Sequence, residues 1–398
     1  MTLAYQPAAP LNGRSIVALS AACGFAVANL YYCQPLLPAM AATFGAGASA
    51  QGTIAMLTQL GYAAGLLLFG PLGDQCDRHR LITALLLVNI LGLTLCATAA
   101  SLNGLFLASA LVGLTAISAQ IVIPAVSGMA DPAQRGHTVG RLMSGLFAGT
   151  LLARTVSGYV GANAGWRVMF TLAAALDAAL IALVWRYLPR ARPAGGLTYP
   201  RLLASLGQLF ARQPLLRDAC LSGFLLFAAF NVLWGPLALM LTRSPYHWGS
   251  EIAGLFGLVG VVGMAASPFI GRLTDRWGGR RVVALAALTV AAAFALIAGS
   301  THWLGCLLAG VIVLDLGSRA NLVANQTRIY ALLPQARGRL NTLFMTAYFL
   351  GGAAGSALGA TAAEHFGWGG VSAAGMLCAA LAAASVWRRK RVVPVKRC

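Results

Sequence analysis

Gly70-Pro71-Leu72-Gly73-Asp74-Gln75-Cys76-Asp77-Arg78-His79-Arg80 and Gly271-Arg272-Leu273-Thr274-Asp275-Arg276-Trp277-Gly278-Gly279-Arg280-Arg281 are two versions of one charged turn, each set between long apolar segments. Working outward, Arg135-Gly136 and Gly165-Trp166 return as Arg337-Gly338 and Gly367-Trp368, so the spacing holds at 201 to 202 residues across three motifs. A period kept over so many residues marks a copied unit of six segments. Duplicated sets of apolar segments are characteristic of secondary transporters.

Composition bounds the class. The chain is 59% hydrophobic and 9% charged, against about 25% charged in soluble domains, which argues against a soluble enzyme. A net charge of +19 would suit nucleic acid only if Arg and Lys gathered on one face among polar residues. Here they sit in short turns along the chain, so no nucleic-acid partner is expected. Cysteines 23, 33, 76, 96, 220, 306, 378 and 398 are scattered without metal-like spacing. Most lie in apolar segments, where Cys behaves as a small hydrophobe. Neither disulfide, metal nor cofactor is expected, and Cys398 is not a prenylation box.

A bilayer core of about 30 Å needs about 20 apolar residues in a helix. Twelve segments qualify, at about 16–40, 51–72, 81–100, 104–129, 140–161, 167–188, 218–242, 251–271, 282–300, 303–332, 340–362 and 366–387. The first runs past signal-peptide length and reads as an uncleaved helix. The expected fold is an all-α integral membrane protein of twelve transmembrane helices in two pseudo-symmetric six-helix halves. Residues 1–188 form one half, 189–217 a basic linker, and 218–398 the other half with a short basic tail. Lys and Arg near span ends stay cytoplasmic, and 24 of the 28 fall at Arg14, in the alternate turns, in the linker and in the tail. Both termini are therefore expected in the cytoplasm of a prokaryotic cell, with the protein in its cytoplasmic (inner) membrane.

Twelve spans in two halves, the basic central loop and the paired G-x-x-x-D-[RK]-x-G-[RK]-[RK] turns resemble the major facilitator superfamily, over roughly residues 15–388. The second turn fits the family motif fully. The first has Gln75 where a basic residue is usual and Asp77 where Gly is usual. The resemblance leans to the drug/proton antiporter branch, although Ala153-Arg154 replaces its Gly-Pro step among Gly145, Gly149 and Gly158, and Leu105–Gly128 lacks its Arg.

The turns carry candidate gating residues: Gly70, Asp74, Arg78, Arg80, Gly271, Asp275, Arg276, Arg280 and Arg281. The glycines would permit close helix approach, and the aspartates could cap a neighbouring helix N-terminus. The resemblance implies that these turns latch the halves; the alternative is that they only anchor the chain at lipid headgroups.

Of nine acidic residues, Asp177 and Asp315 alone fall deep in spans, and a charge at that depth points to function. Asp315 and Arg319, one helical turn apart on a shared face, are the candidate proton-coupling pair; the alternative is a permanent structural pair. Ser318, Asn325 and Gln326 extend the same polar stripe. Arg154 either pairs with Asp177 or faces the cavity, where a guanidinium would take a carboxylate or phosphate. The resemblance places span 6 among the outer helices, which seldom reach the cavity, and so favours the pair.

Spans 1 and 7 repeat each other: Phe25, Asn29 and Tyr32 correspond to Phe227, Asn231 and Trp234. An amide between aromatic rings suits a substrate wall, and the resemblance places spans 1, 4, 7 and 10 around the cavity. Gln34 and Gln120 would add polar contacts. The alternative is hydrogen bonding between helices. Pro35, Pro38 and Pro236 are expected to bend their helices.

The resulting expectation is a secondary active transporter working by alternating access, with proton-coupled efflux of a small organic solute as its mode. The alternative is symport or facilitated uptake of a sugar, amino acid or organic anion. The shortage of intramembrane acids argues against a dedicated cation exporter. An enzyme is not expected: His79, His137, His247, His302 and His365 are isolated, and no phosphate-binding loop is present. The expected partners are a small-molecule substrate, protons and membrane lipid, with no obligate protein partner. A sensor role would need an output domain, for which the chain has no room.

Overall fold

The computed structural model describes residues 12–129, 135–189, 198–301, 303–333 and 336–388. Asp131, Arg190, Arg192, His302 and the tail from 389 to Cys398 lie outside them, as does the Asp74 side chain.

Twelve spans are present. Span 1 runs Gly13–Ala28 and continues through Gln34–Leu36 and Leu37–Ala42; spans 2 and 3 are Ala48–Phe69 and Arg78–Ala97. Span 4 joins Leu102–Thr115 to Ser118–Met129, and spans 5 and 6 are Arg135–Ala164 and Trp166–Tyr187. Span 7 joins Pro214–Trp234 to Leu237–Thr242, followed by spans 8 (Ser250–Trp277), 9 (Gly279–Ala298) and 10 (Leu304–Tyr330). Spans 11 and 12 share Arg337–Arg388, divided at Gly367.

Nine helices among the described residues are long and apolar enough to cross a membrane alone, and the last of these holds two spans. The other two are span 1, shortened where Pro35 and Pro38 interrupt it, and span 5, which carries Arg141 and Arg154. Proline has no N–H and clashes with the carbonyl four residues back. That accounts for the breaks at Pro35 and at Pro236.

The repeated Gly-Trp motif has a backbone reason. Gly165 (φ 88°) and Gly367 (φ 57°) make the turns from span 5 to 6 and from span 11 to 12, in a region that residues with a Cβ rarely enter.

The two charged turns solve one problem differently. Asp77 (φ −60°) caps span 3, accepting the backbone N–H of His79 at 2.9 Å and of Arg80 at 3.3 Å. Its counterpart Gly278 caps span 9 at φ 82° with no side chain. So the departure of Asp77 from the family motif replaces a glycine turn with a carboxylate cap. The Arg80 and then the His79 backbone N–H groups hold the Asp77 carboxyl below the ordinary carboxylate range. A depressed carboxylate stabilises above its unfolded value and stops doing so as pH falls through its folded value. Asp77→Ala should therefore lower the melting temperature in detergent at neutral pH, and the gap to the parent should close on acidification. A gap that persists in acid would rule out the cap as its cause.

One sequence expectation fails at these turns. A Cβ at Gly70 would sit 3.4 Å from Thr342 of span 11, whereas one at Gly271 would meet nothing within 4 Å. Gly271 therefore marks no close approach. Arg78 donates from Nε to the Gly73 carbonyl at 3.0 Å, and Arg280 from Nη2 to the Val386 carbonyl at 2.7 Å. Arg80, Asp275, Arg276 and Arg281 are exposed.

The linker is partly helical. Tyr199–Arg212 buries Leu202 and Leu206, while the Tyr199 hydroxyl donates to the Leu68 carbonyl and Arg339 donates to Ser205 Oγ. The amphipathic period of its leucines was the available signal.

The halves meet where span 2 packs on span 11 and span 5 on span 8. At the end away from the charged turns the fit is tight. A Cβ at Gly52 would lie 2.3 Å from the Ala360 Cβ, and one at Gly158 would lie 2.4 Å from the Ser250 carbonyl oxygen. Thr155 Oγ1 donates to the Gly254 carbonyl at 3.1 Å, and Ser250 Oγ to the Gly158 carbonyl at 3.2 Å. Gly158→Ala should pry this seam apart, because the obstructing atom is backbone. Spin labels on the two halves at this end should show longer distances in the variant; unchanged distances would mean that the seam absorbs a methyl.

Candidate functional site

A buried cavity of about 100 Å³ lies between the halves. Spans 1, 2, 4 and 5 contribute Tyr31, Tyr62, Gln120, Phe147, Thr150 and Arg154; spans 7, 10 and 11 contribute Phe227, Phe230, Asp315, Ser318, Arg319, Tyr348 and Phe349. Drug-sized ligands occupy about 300–1,000 Å³, so this conformation holds only a small ligand.

The chemistry rests on three charges. On span 10, Arg319 Nε donates to Asp315 Oδ2 at 3.3 Å, as the four-residue spacing predicts, and the guanidinium stacks over the Phe147 ring at 4.4 Å. On span 5, Arg154 is 3% exposed and makes no ion pair among the described residues. Its Nε donates to Gln34 Oε1 at 2.7 Å, and its guanidinium lies 4.7 Å from the Tyr31 ring and 4.0 Å from the Trp234 ring.

Span 8 packs against both charged side chains from outside the cavity lining. A Cβ at Gly257 would stand 2.9 Å from the Arg154 Cβ, and one at Gly263 would stand 1.7 Å from Asp315 Oδ2. These glycines give both charged side chains room. Sequence reading missed them, although they belong to a run of glycines three residues apart, Gly254, Gly257, Gly260 and Gly263, that was visible on a long helix.

The expected Arg154–Asp177 pair does not form. Asp177 is 1% exposed and accepts from Asn29 Nδ2 at 3.0 and 3.1 Å through its two oxygens. This also corrects the predicted span 1 wall. Val27 and Tyr31 face the cavity, and at about 100° per residue the Phe25–Asn29–Tyr32 stripe is turned to the opposite side. Phe25 is accordingly 43% exposed, Asn29 is engaged by span 6, and Tyr32 accepts from Ser157 through its carbonyl.

The equivalent stripe of span 7 is divided. Phe227 lines the cavity and Trp234 backs Arg154, but Asn231 donates to its own helix at the Phe227 carbonyl. The span 10 stripe is divided too: Ser318 lines the cavity, but Asn325 and Gln326 do not. Asn325 donates to Ser222 Oγ and Asn321 Oδ1 and accepts from Arg328, while Gln326 donates to Asn341 Oδ1. Their amides bond neighbouring side chains, so neither lines the cavity. Gln120 does line it, and Gln34 reaches it through Arg154.

Sequence reading also missed span 11. The Tyr348 ring stacks on Phe227 with centroids 3.8 Å apart, and Phe349 and Met345 join the wall. On an Ala- and Gly-rich helix these residues look like ordinary core.

Two bundles of six helices closed around a buried charged cavity define a membrane transporter. The sequence profile of the Major Facilitator Superfamily matches residues 17–281 and again 220–397, and the chain belongs to that superfamily. It is 40% identical over 388 residues to the uncharacterized transporter YgaY of Escherichia coli O157:H7, covering 96% of this chain and 97% of that one. It is 28% identical over 354 residues to the inner membrane transport protein YnfM of Escherichia coli (strain K12), covering 88% and 84%. Among solved structures, the nucleoside transporter NupG superposes with a TM-score of 0.76 at 15% identity, covering 96% of this chain and 100% of that one. The human organic anion transporter MFSD10 (TETRAN) superposes at 0.71 with 17% identity, covering 94% and 99%. Proteins of this fold are transporters rather than enzymes.

Proposed function

We propose that this protein is a proton-coupled secondary transporter of a small organic solute in a bacterial cytoplasmic membrane, with Asp315 as proton carrier and Arg319 as its exchangeable partner. The observation that carries this reading is that Asp315 alone among the described residues presents a carboxylate to the cavity, and one guanidinium holds it there. A pair with a single partner can be opened by a bound solute, and a buried carboxylate left alone would then take up a proton to avoid an uncompensated charge. Residues 1–188 and 218–398 act as the two moving halves, joined by 189–217.

The end bearing the charged turns is the cytoplasmic one, on the positive-inside distribution of Arg and Lys. The inner-membrane designation of YnfM is in keeping with that. At this end an added Cβ at Gly70 would meet Thr342 of span 11, in the other half, whereas one at Gly271 would meet nothing within 4 Å, which favours the first turn as the latch; the exposed Arg80, Arg276 and Arg281 suit anionic headgroups. Around the cavity, Arg154, Gln120 and Trp234 are the proposed substrate contacts, with Gln34 holding Arg154.

Antiport, the mode of the drug/proton branch, requires a substrate that drives the proton off Asp315. Symport requires one that draws Arg319 away from it. Proteoliposomes containing a pH-sensitive dye, challenged with a compound library, test the coupling. Compound-dependent proton flux is expected in the parent protein, inward or outward according to mode. Solute movement with no proton flux would sink the proposal and leave a facilitator.

A further inference from the structure

We propose that the substrate is a small aromatic monocarboxylate, held by the terminal amino groups of Arg154 and Arg319, and that it travels in the same direction as the proton. The inference deepens the reading of this cavity as the transport site and rests on it.

Charge comes first. The cavity is lined by two guanidiniums and one carboxylate, which leaves one positive charge unbalanced in a buried site. Asp177 does not supply the missing anion: it is not among the cavity-lining residues and forms no ion pair with Arg154, and its carboxylate accepts from Asn29 instead. A buried charge is expensive unless paired, and a bound monoanion completes the set.

Hydrogen bonding points the same way. Both arginines spend only Nε on the protein, Arg154 on Gln34 and Arg319 on Asp315. Their terminal nitrogens have no acceptor among the described residues. These are the atoms that grip a carboxylate from two sides. The Ser318 hydroxyl, buried and lining the cavity, also lacks a partner. A guanidinium is a donor only, so the unmet demand of Arg154 and Arg319 is for an acceptor.

The walls set the body of the ligand. Tyr31, Phe147, Phe227, Phe230 and Tyr348 face the cavity, and rings favour flat aromatic groups by stacking and edge contact. The small volume, about 100 Å³, selects one or two rings at most.

Coupling sign follows from electrostatics. An anion beside Asp315 favours proton uptake by that carboxylate, whereas a cation would expel the proton. Arg154 and Arg319 are the other charges facing Asp315; no second acid lines the cavity among the described residues. The proton enters from the water on the side from which the anion loads and leaves with it.

The test uses the purified full chain in detergent with three matched sets: benzoate, benzamide and benzylamine; cinnamate, cinnamamide and cinnamylamine; indole-3-acetate, indole-3-acetamide and tryptamine. Calorimetry should show at least one carboxylate binding, with its amide and amine at least about tenfold weaker, as loss of a charge-assisted bond requires. Arg154→Gln should weaken that carboxylate by a similar factor, and Arg154→Lys should restore part of it. Amines or amides binding as well as the acids, chloride alone binding, or no carboxylate binding from any set would overturn the proposal. The comparison within each set uses the parent protein, so it stands even if an Arg154 variant misfolds. A pH dye in weak buffer separates the two readings. Proton uptake on carboxylate binding supports both. Carboxylate binding with no pH change keeps the substrate class and removes Asp315 as carrier. Library-driven proton flux with no carboxylate binding removes the substrate class and keeps the coupling.

Discussion

Asp315→Asn should reduce compound-driven proton movement to the level of empty liposomes while leaving exchange of solute between the two sides measurable. Asn keeps the size of Asp and can still accept from Arg319 Nε, now 3.3 Å from the carboxylate, but it takes up no proton in this range. If Asp315 carries the proton, the variant is fixed in the equivalent of the loaded carrier and exchanges solute without coupling. A structural ion pair gives a different result, because breaking a buried pair leaves an orphan charge and costs about 3–5 kcal/mol. The variant would then lose stability, and binding and exchange would fall together with proton flux. Flux and exchange measured on one preparation, with a melting curve, separate the two. Retained proton flux in Asp315→Asn would end the assignment.

Gly263→Ala should cut transport by more than about tenfold without touching a charged residue, an effect of the size expected when a buried polar contact is displaced. The added methyl would lie 1.7 Å from Asp315 Oδ2, 2.9 Å from its Cγ and 3.4 Å from the Arg319 Cγ. Contacts this short do not persist in a close-packed interior. The carboxylate must therefore leave its place, or spans 8 and 10 must part. Gly207→Ala in the linker helix, where an added Cβ meets nothing within 4 Å, is the matched control and should transport like the parent. Normal transport by Gly263→Ala would show that the observed position of Asp315 is not the working one.

The architecture was legible because it is written in long-period features: a repeated turn, twelve apolar stretches and alternating basic loops. The Asp315–Arg319 contact was legible because both residues sit on one helix, whose geometry fixes their separation. Contacts between helices were not. Whether Arg154 meets Asp177 depends on how far spans 1, 5 and 6 are rotated about their own axes, and periodicity does not set that angle. A rotation of about half a turn moved the Phe25–Asn29–Tyr32 stripe from the expected cavity to the opposite side. The internal repeat also misled, since matching positions in the two halves serve different ends: Asn29 binds an aspartate, while Asn231 binds its own backbone.

Gly254, Gly257, Gly260 and Gly263 fall three apart on span 8, so each is turned back by about 60° from the last. Gly254 lies against span 5 at the seam between the halves, and Gly263 lies against Asp315 and Arg319 on span 10. One helix thus bears the close contact between the halves at one end of this spiral and the seat of the carboxylate at the other. Rolling or shifting span 8 at the seam displaces the surface under Asp315 in the same motion, as a cam turns a shaft's movement into lift. If Asp315 carries the proton as proposed, access to the cavity and the hold on that proton become two readings of a single rotation, with no separate signal needed between them.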